Sequence, residues 1–230
     1  MRGPERYVEW MNAHIGFNPR AQQNSNALSQ YVLDDLRFAS PKAVGELVRT
    51  ENLIPLKNAS VSIGLSVRNI DLVLHEKDSP PLSVQLSVEH KTIMAAHGKA
   101  RKNRYGDILA YGGHMHNHRP DCIVGATVVI NTSGLYKNPD SFAQNLVRPT
   151  FDMEKVVKDT VKVFESIPLR DSPDDAKELP EALAVILVDY DGENPARLVT
   201  NDLAPDPTSG AHYDNFIRRL AAKYEDRFCQ

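Results

Sequence analysis

The amino-acid sequence predicts an α/β fold, a mixed β-sheet flanked by helices on both faces and carried by one domain over residues 1–230. Three observations predict it. Residues 122–131 and 183–190 are short and almost wholly apolar, the pattern of strands buried on both faces at a sheet centre. Residues 84–92 alternate instead. Val84, Leu86, Val88 and His90 point one way and Gln85, Ser87, Glu89 and Lys91 the other, as in a half-buried strand. Amphipathic helical stretches separate these runs, and a sheet interleaved with helices buries its faces beneath them.

Taken in order, residues 1–52 read as N-terminal helices. A short helix and a loop reach residue 23. A second helix starts at Asn24, with Leu28, Tyr31, Val32, Leu33 and Leu36 at helical spacing and Asn24 or Ser25 as its cap. Ser40-Pro41 opens another short helix over 42–49. Residues 53–131 form the core. Residues 53–68 are one strand or a bent pair. A hairpin follows, with Ile70, Leu72 and Leu74 as the apolar face of its first strand and Asn69, Asp71, Val73 and His75 on the other face. The linker at 76–81 is too polar and proline-rich to continue either strand. A helix begins near Ala100, and the buried strand 122–131 closes the core. Residues 132–230 support it: a long connection to 150, a helix at 153–167, an acidic loop to 180, the strand 183–190 and a closing helix at 213–228.

Composition limits the function classes. The 230 residues are 41% hydrophobic, enough for one substantial core. A net charge of −3 excludes a molecule that grips nucleic acid over its whole surface. No apolar run is long enough to span a bilayer, and the first ten residues lack the apolar core of a signal peptide. Two widely spaced cysteines fit a reducing, cytoplasmic location.

The chemistry is concentrated between Asn69 and Arg104. The hairpin places Asp71 on one strand and Glu89 and Lys91 on the next, all on the polar face. Two carboxylates suit a hard divalent cation such as Mg²⁺, and the backbone carbonyl of His90 is a third oxygen ligand. Such a cation spreads charge on a phosphate and acidifies water. An ammonium two residues after Glu89 emerges on the same face, where it can orient water or offset developing negative charge. From Lys91 to Arg104 there are five Lys or Arg and no Asp or Glu. Lys99, Arg101, Lys102 and Arg104 are therefore candidate DNA phosphate contacts, with salt-dependent affinity.

Asp71, followed after 17 residues by Glu89-His90-Lys91, resembles the PD-(D/E)XK nuclease superfamily, which includes most type II restriction endonucleases. Ile70 stands where the motif's name has proline. The resemblance implies a restriction-endonuclease-like fold and Mg²⁺-dependent cleavage of double-stranded DNA, with Mn²⁺ as a substitute. Asp71 and Glu89 are then metal ligands and Lys91 the catalytic lysine. It further implies a homodimer of a prokaryotic restriction system that leaves 5′-phosphate and 3′-hydroxyl ends. Related nucleases often carry an extra acid on a helix before the first catalytic strand, and Glu46 and Asp35 are the candidates.

Other features compete. A second acid-x-Lys triplet, Asp175-Ala176-Lys177, lies in a polar stretch without strand pattern and is a chance occurrence. His114, His116 and His118, with Cys122 four residues on, have spacing compatible with zinc. The flanking Gly112-Gly113 and Arg119-Pro120 read instead as a helix end and a loop. Asn145 and Arg148 in the long connection, and the lysine face of helix 153–167, are further possible DNA contacts. Ten acids against two bases from Asp171 to Asp206 disfavour DNA on that side. Alternative readings are a repair or mobile-element nuclease on the same fold, a non-catalytic DNA-binding module and a zinc protein.

Overall fold

The computed structural model describes residues 2–19, 21–63, 66–78, 83–136 and 152–229. Among them, six strands form one sheet in chain order: β1 (Leu53–Ile63), β2 (Ser66–Glu76), β3 (Val84–Ile93), β4 (Ile123–Asn131), β5 (Ala182–Asp189) and β6 (Arg197–Val199). The first three are antiparallel, β3, β4 and β5 are parallel, and β6 returns antiparallel. Two crossovers make the parallel half, through α4 (His97–His118) and α5 (Met153–Glu165). Parallel neighbours need such connections because no tight turn can join them. The short β6 is an element the sequence pattern did not predict.

Helices cover both faces. On one, α1 (Gly3–Ala13), α2 (Gln22–Ala39) and α6 (Tyr213–Phe228) pack on Leu72, Leu74, Leu86 and Val88 and on alternate residues of β4 and β5. On the other, α4 and α5 pack on Ala126, Val128, Ile130, Leu183 and Val185. Every residue of β4 is buried, as its unbroken apolar run requires. None of the helices among the described residues is long and apolar enough to cross a membrane.

Three expectations are corrected. The α2 cap is Ala21, with no side-chain hydrogen bond. Asn24 lies inside the helix and is buried, donating to the Pro19 carbonyl and accepting from the Tyr7 hydroxyl, so it braces the preceding loop. Next, α4 does not end at Gly112-Gly113 but runs through them to His118. Gly112 serves close packing: a Cβ there would strike the Glu178 carbonyl. Third, Ile70 does not share a cluster with Leu72 and Leu74. It joins Val73, Tyr111 and Met115 on the α4 side, with Ala59 and Val61. The β1–β2 hairpin bends between them, at the Asn58–Asp71 position. Helix α5 starts from an Asp152 cap, and on its surface Lys155 pairs with Asp159 at 2.7 Å and Lys158 with Glu154 at 2.8 Å. Asn145 and Arg148 lie outside the described residues.

Candidate active site

In the β2–β3 ladder Leu72 lies opposite Val88 and Val73 opposite Ser87. One step further, the same register sets Asp71 against Glu89. There the strands part. The His90 N–H donates to Asp71 Oδ2 at 2.7 Å rather than to a β2 carbonyl. In an antiparallel ladder a residue's N–H and C=O point to the same neighbour. The His90 carbonyl therefore faces the side on which the Asp71 carboxylate sits.

Asp71 is also released on its other flank. The β1–β2 register runs from Lys57↔Leu72 to Ala59↔Ile70 and skips the intervening pair, Asn58 and Asp71. Asn58 has φ 50°, in the left-handed region, where asparagine is tolerated and β-branched residues are not. The Asp71 carbonyl accepts instead from the Ser29 hydroxyl of α2, at 3.0 Å. We expect Asn58→Gly to keep the fold and its stability. Asn58→Val should cost about 1–2 kcal/mol, the strain of a left-handed residue with a branched Cβ. Denaturant unfolding checks this, and equal stability of the two variants would show that the bend does not depend on residue 58.

Glu89 and Lys91 share the face of β3 beneath α4. Lys91 Nζ is 2.5 Å from Glu89 Oε1, and their side chains are only 18% and 13% exposed. Burial pushes the Glu89 carboxyl above its ordinary range. Lys91 opposes that shift, while the charges of Asp71 and Asp107 add to it. Glu89 Oε2 is buried with no hydrogen-bond partner. His90 points to the opposite face, its ring nitrogens 2.8 Å from Thr127 Oγ1 and 3.0 Å from Ser29 Oγ. Burial drives its pKa down to about 4, so the ring is neutral near pH 7. The middle residue of Glu89-His90-Lys91 is thus a buried anchor. One hydroxyl, that of Ser29, meets both its ring and the Asp71 backbone.

From α4, Arg104, Asp107 and Tyr111 form one stripe at spacings of three and four. Arg104 Nη1 is 2.7 Å from Asp107 Oδ2, and its Nε is buried without a partner. Asp107 lies close enough to raise the Glu89 carboxyl. Tyr111 is buried, and its hydroxyl is held well above its ordinary pKa by that burial and then by Glu89. Asn24, Ser25, Asp71, His90, Lys91 and Arg104 line a cavity of about 190 Å³ at this point. It opens at the C-terminal end of β3, the end of parallel strands at which α/β sheets bind ligands.

The four candidate DNA contacts occupy the first turns of α4 but not one face. Lys99 and Lys102 are exposed. Arg101 faces Asp159 of α5 and His97. Arg104 alone of the four lines the cavity. The extra-acid candidates go elsewhere. Glu46, on the short helix α3 (Glu46–Arg49), pairs with Arg49 at 2.6 Å on the exposed surface. Asp35 accepts from the Gly3 N–H, the Tyr213 hydroxyl and Arg6, tying α1, α2 and α6 together. Neither lines the cavity, because the α2 residues that reach it are Asn24, Ser25 and Leu28. Asp175 and Lys177 are exposed in an irregular stretch, where Asp175 accepts the Asp171 and Ser172 N–H groups.

Helical geometry sets His116 apart from His114 and His118, since residues two apart on a helix do not face each other. His116 is fully buried and its ring meets Lys177 O at 2.7 Å and Glu181 Oε2 at 3.1 Å. Cys122 is buried beside Ser87 instead, and burial pushes its thiol up to about 12. Among the described residues no group of three or more His, Cys, Asp or Glu is arranged to hold a metal ion. The set at the β2–β3 seam is smaller, two carboxylates and a main-chain carbonyl. Compared with models of known protein families and with curated proteins, the chain matches none.

Sequence reasoning reached Asp71, Glu89, Lys91 and Arg104. It passed over Asp107 and Tyr111, although their 3-and-4 spacing from Arg104 was readable. Asn58, Ser29 and Thr127 carried no signal, since each acts through backbone or through a neighbour distant in sequence.

Proposed function

We propose that this chain is a Mg²⁺-dependent DNA endonuclease with a restriction-endonuclease-like fold, most simply a sequence-specific type II restriction enzyme acting as a homodimer on double-stranded DNA. One observation carries the reading. Asp71 and Lys91, the latter held by Glu89, meet Arg104 at one small cavity where β2 and β3 part. A plain ion pair on a sheet face needs neither the parting of the strands nor the second carboxylate.

The residues fit a hard divalent cation. Glu89 Oε2 is a buried oxygen without a partner, which is costly unless something satisfies it. Asp71, Glu89 and the His90 carbonyl are the oxygen donors that would hold Mg²⁺, or Mn²⁺ in its place. Bound there, such an ion supplies charge neutralisation at the phosphate and a more acidic water. The remaining roles fall to the chain itself. The Lys91 ammonium, fixed by Glu89, orients the attacking water and offsets negative charge that builds on the phosphate oxygens. Arg104 holds a neighbouring phosphate oxygen, and Lys99 and Lys102 meet the backbone further out. Water adds to phosphorus and the bond to the 3′ oxygen breaks, leaving a 5′-phosphate and a 3′-hydroxyl.

The test is incubation of the purified protein with a long duplex DNA, with and without Mg²⁺, beside Asp71→Ala. Discrete fragments that require both Mg²⁺ and Asp71 are expected. A smear would point to a repair or mobile-element nuclease. No cleavage with Mg²⁺ or Mn²⁺ would sink the catalytic reading and leave a DNA-binding module.

A further inference from the structure

A second cavity, of about 280 Å³, adjoins the first and shares Pro19, Thr92 and Arg104 with it. Its character differs. The first is walled by Asp71, His90 and Lys91, whereas the second has a floor of Ile93 and Met94, 1% and 8% exposed, and small walls from Ala95, Ala96 and Ala100. One side is the Tyr136 ring. Tyr190 backs it at 6.1 Å between centroids, and Tyr190 in turn stacks on Phe17 at 5.6 Å and 14°. The aromatic wall is therefore buttressed from behind. Asn18 also lines it.

We propose that this second cavity receives one unpaired nucleobase, from the nucleotide next to the phosphate held at Lys91 and Arg104. The inference rests on the nuclease reading and adds its substrate form. A volume just below 300 Å³ is at the small end of pockets that enclose organic ligands, which suits a single ring system rather than a base pair. Apolar walls with one aromatic side are what a flipped base meets when it leaves the stack, a ring on which its own face can stack. Continuity with a cationic phosphate site distinguishes this cleft from a general apolar pocket. The base must be extrahelical, either bulged already or extruded from the duplex, because a paired base is held in its stack.

The test measures binding in Mg²⁺ on a Lys91→Ala background, so that no cleavage intervenes. The probes are a duplex with a single-nucleotide bulge and the same duplex fully paired. Binding about tenfold tighter to the bulge is expected. Ala100→Met, which fills the cleft, should erase that preference and leave paired-duplex affinity unchanged. Tyr136→Ala should lower bulge affinity about tenfold, in the range for loss of one base–aromatic stack. Tyr136→Phe should keep it, which separates stacking from a general loss of structure. Equal binding of both probes, insensitive to Ala100→Met and Tyr136→Ala, would overturn the inference and leave the nuclease reading standing. Binding to neither probe would overturn both.

Discussion

Lys91→Ala is expected to lower cleavage roughly 10²–10⁴-fold, the range for losing a positioned proton-transfer or charge-stabilising group. DNA affinity should stay within a few-fold, because the phosphate contacts assigned to Arg104, Lys99 and Lys102 remain. The competing explanation is structural. Lys91 and Glu89 form a mostly buried ion pair, and breaking such a pair by removing one partner leaves an uncompensated charge. Two measurements separate the explanations. Thermal unfolding reads the structural cost of the broken pair, and cleavage is expected to fall far beyond the fraction of protein unfolded. Lys91→Met, which keeps the packing of the lysine stem, should lose cleavage as fully as Lys91→Ala. Lys91→Ala that keeps wild-type cleavage, or one that loses cleavage only in proportion to unfolding, would remove Lys91 from the chemistry.

The second large effect lies far from the site. Glu181, fully buried, accepts from Arg227 at 2.8 Å, the Val124 N–H at 2.8 Å, His116 at 3.1 Å and Arg170 at 3.2 Å. Arg170 is fully buried too. Both His116 ring nitrogens meet backbone oxygens, of Lys177 at 2.7 Å and of Cys122 at 3.2 Å. This cluster joins the end of α4, the start of β4, the acidic loop and the C-terminal turn of α6. Glu181→Ala strands two guanidinium groups in the interior and should cost about 3–5 kcal/mol. Urea unfolding measures it, and a loss below about 1 kcal/mol would show that the cluster relaxes or is hydrated. The pH dependence has a definite sign. Burial pushes the Glu181 carboxyl up, but His116, the Val124 N–H and Arg227 outweigh it and hold it below the ordinary 4.5. Its contribution is complete above about pH 4.5 and is lost as pH falls through the lowered folded value. Glu181→Gln should lack that acid-side slope.

The position of this cluster explains one misreading. Gly112-Gly113 and the alternating histidines resemble a helix end because glycine is a poor helix former. Yet α4 continues, because Gly112 lets the Glu178 backbone approach and His116 reaches Glu181. Tertiary packing outweighs a local cost of about 1 kcal/mol per glycine. Glu46 lies away from the cavity for a related reason. A surface acid on a helix satisfies itself with the nearest cation, here Arg49 three residues on.

By itself the sequence determined strands β2 to β5, which of them are buried on both faces, and that Glu89 and Lys91 share a face of β3. Period-two alternation and apolar runs are local properties, written directly in residue order. Only the tertiary structure decided where Asp71 sits. Its place depends on a left-handed Asn58 on β1, a Ser29 hydroxyl on α2 and a His90 ring locked against Thr127 on β4. Those groups span residues 29 to 127, and no sequence period links them. The parting of β2 from β3 that opens the cavity is a consequence of all of them at once.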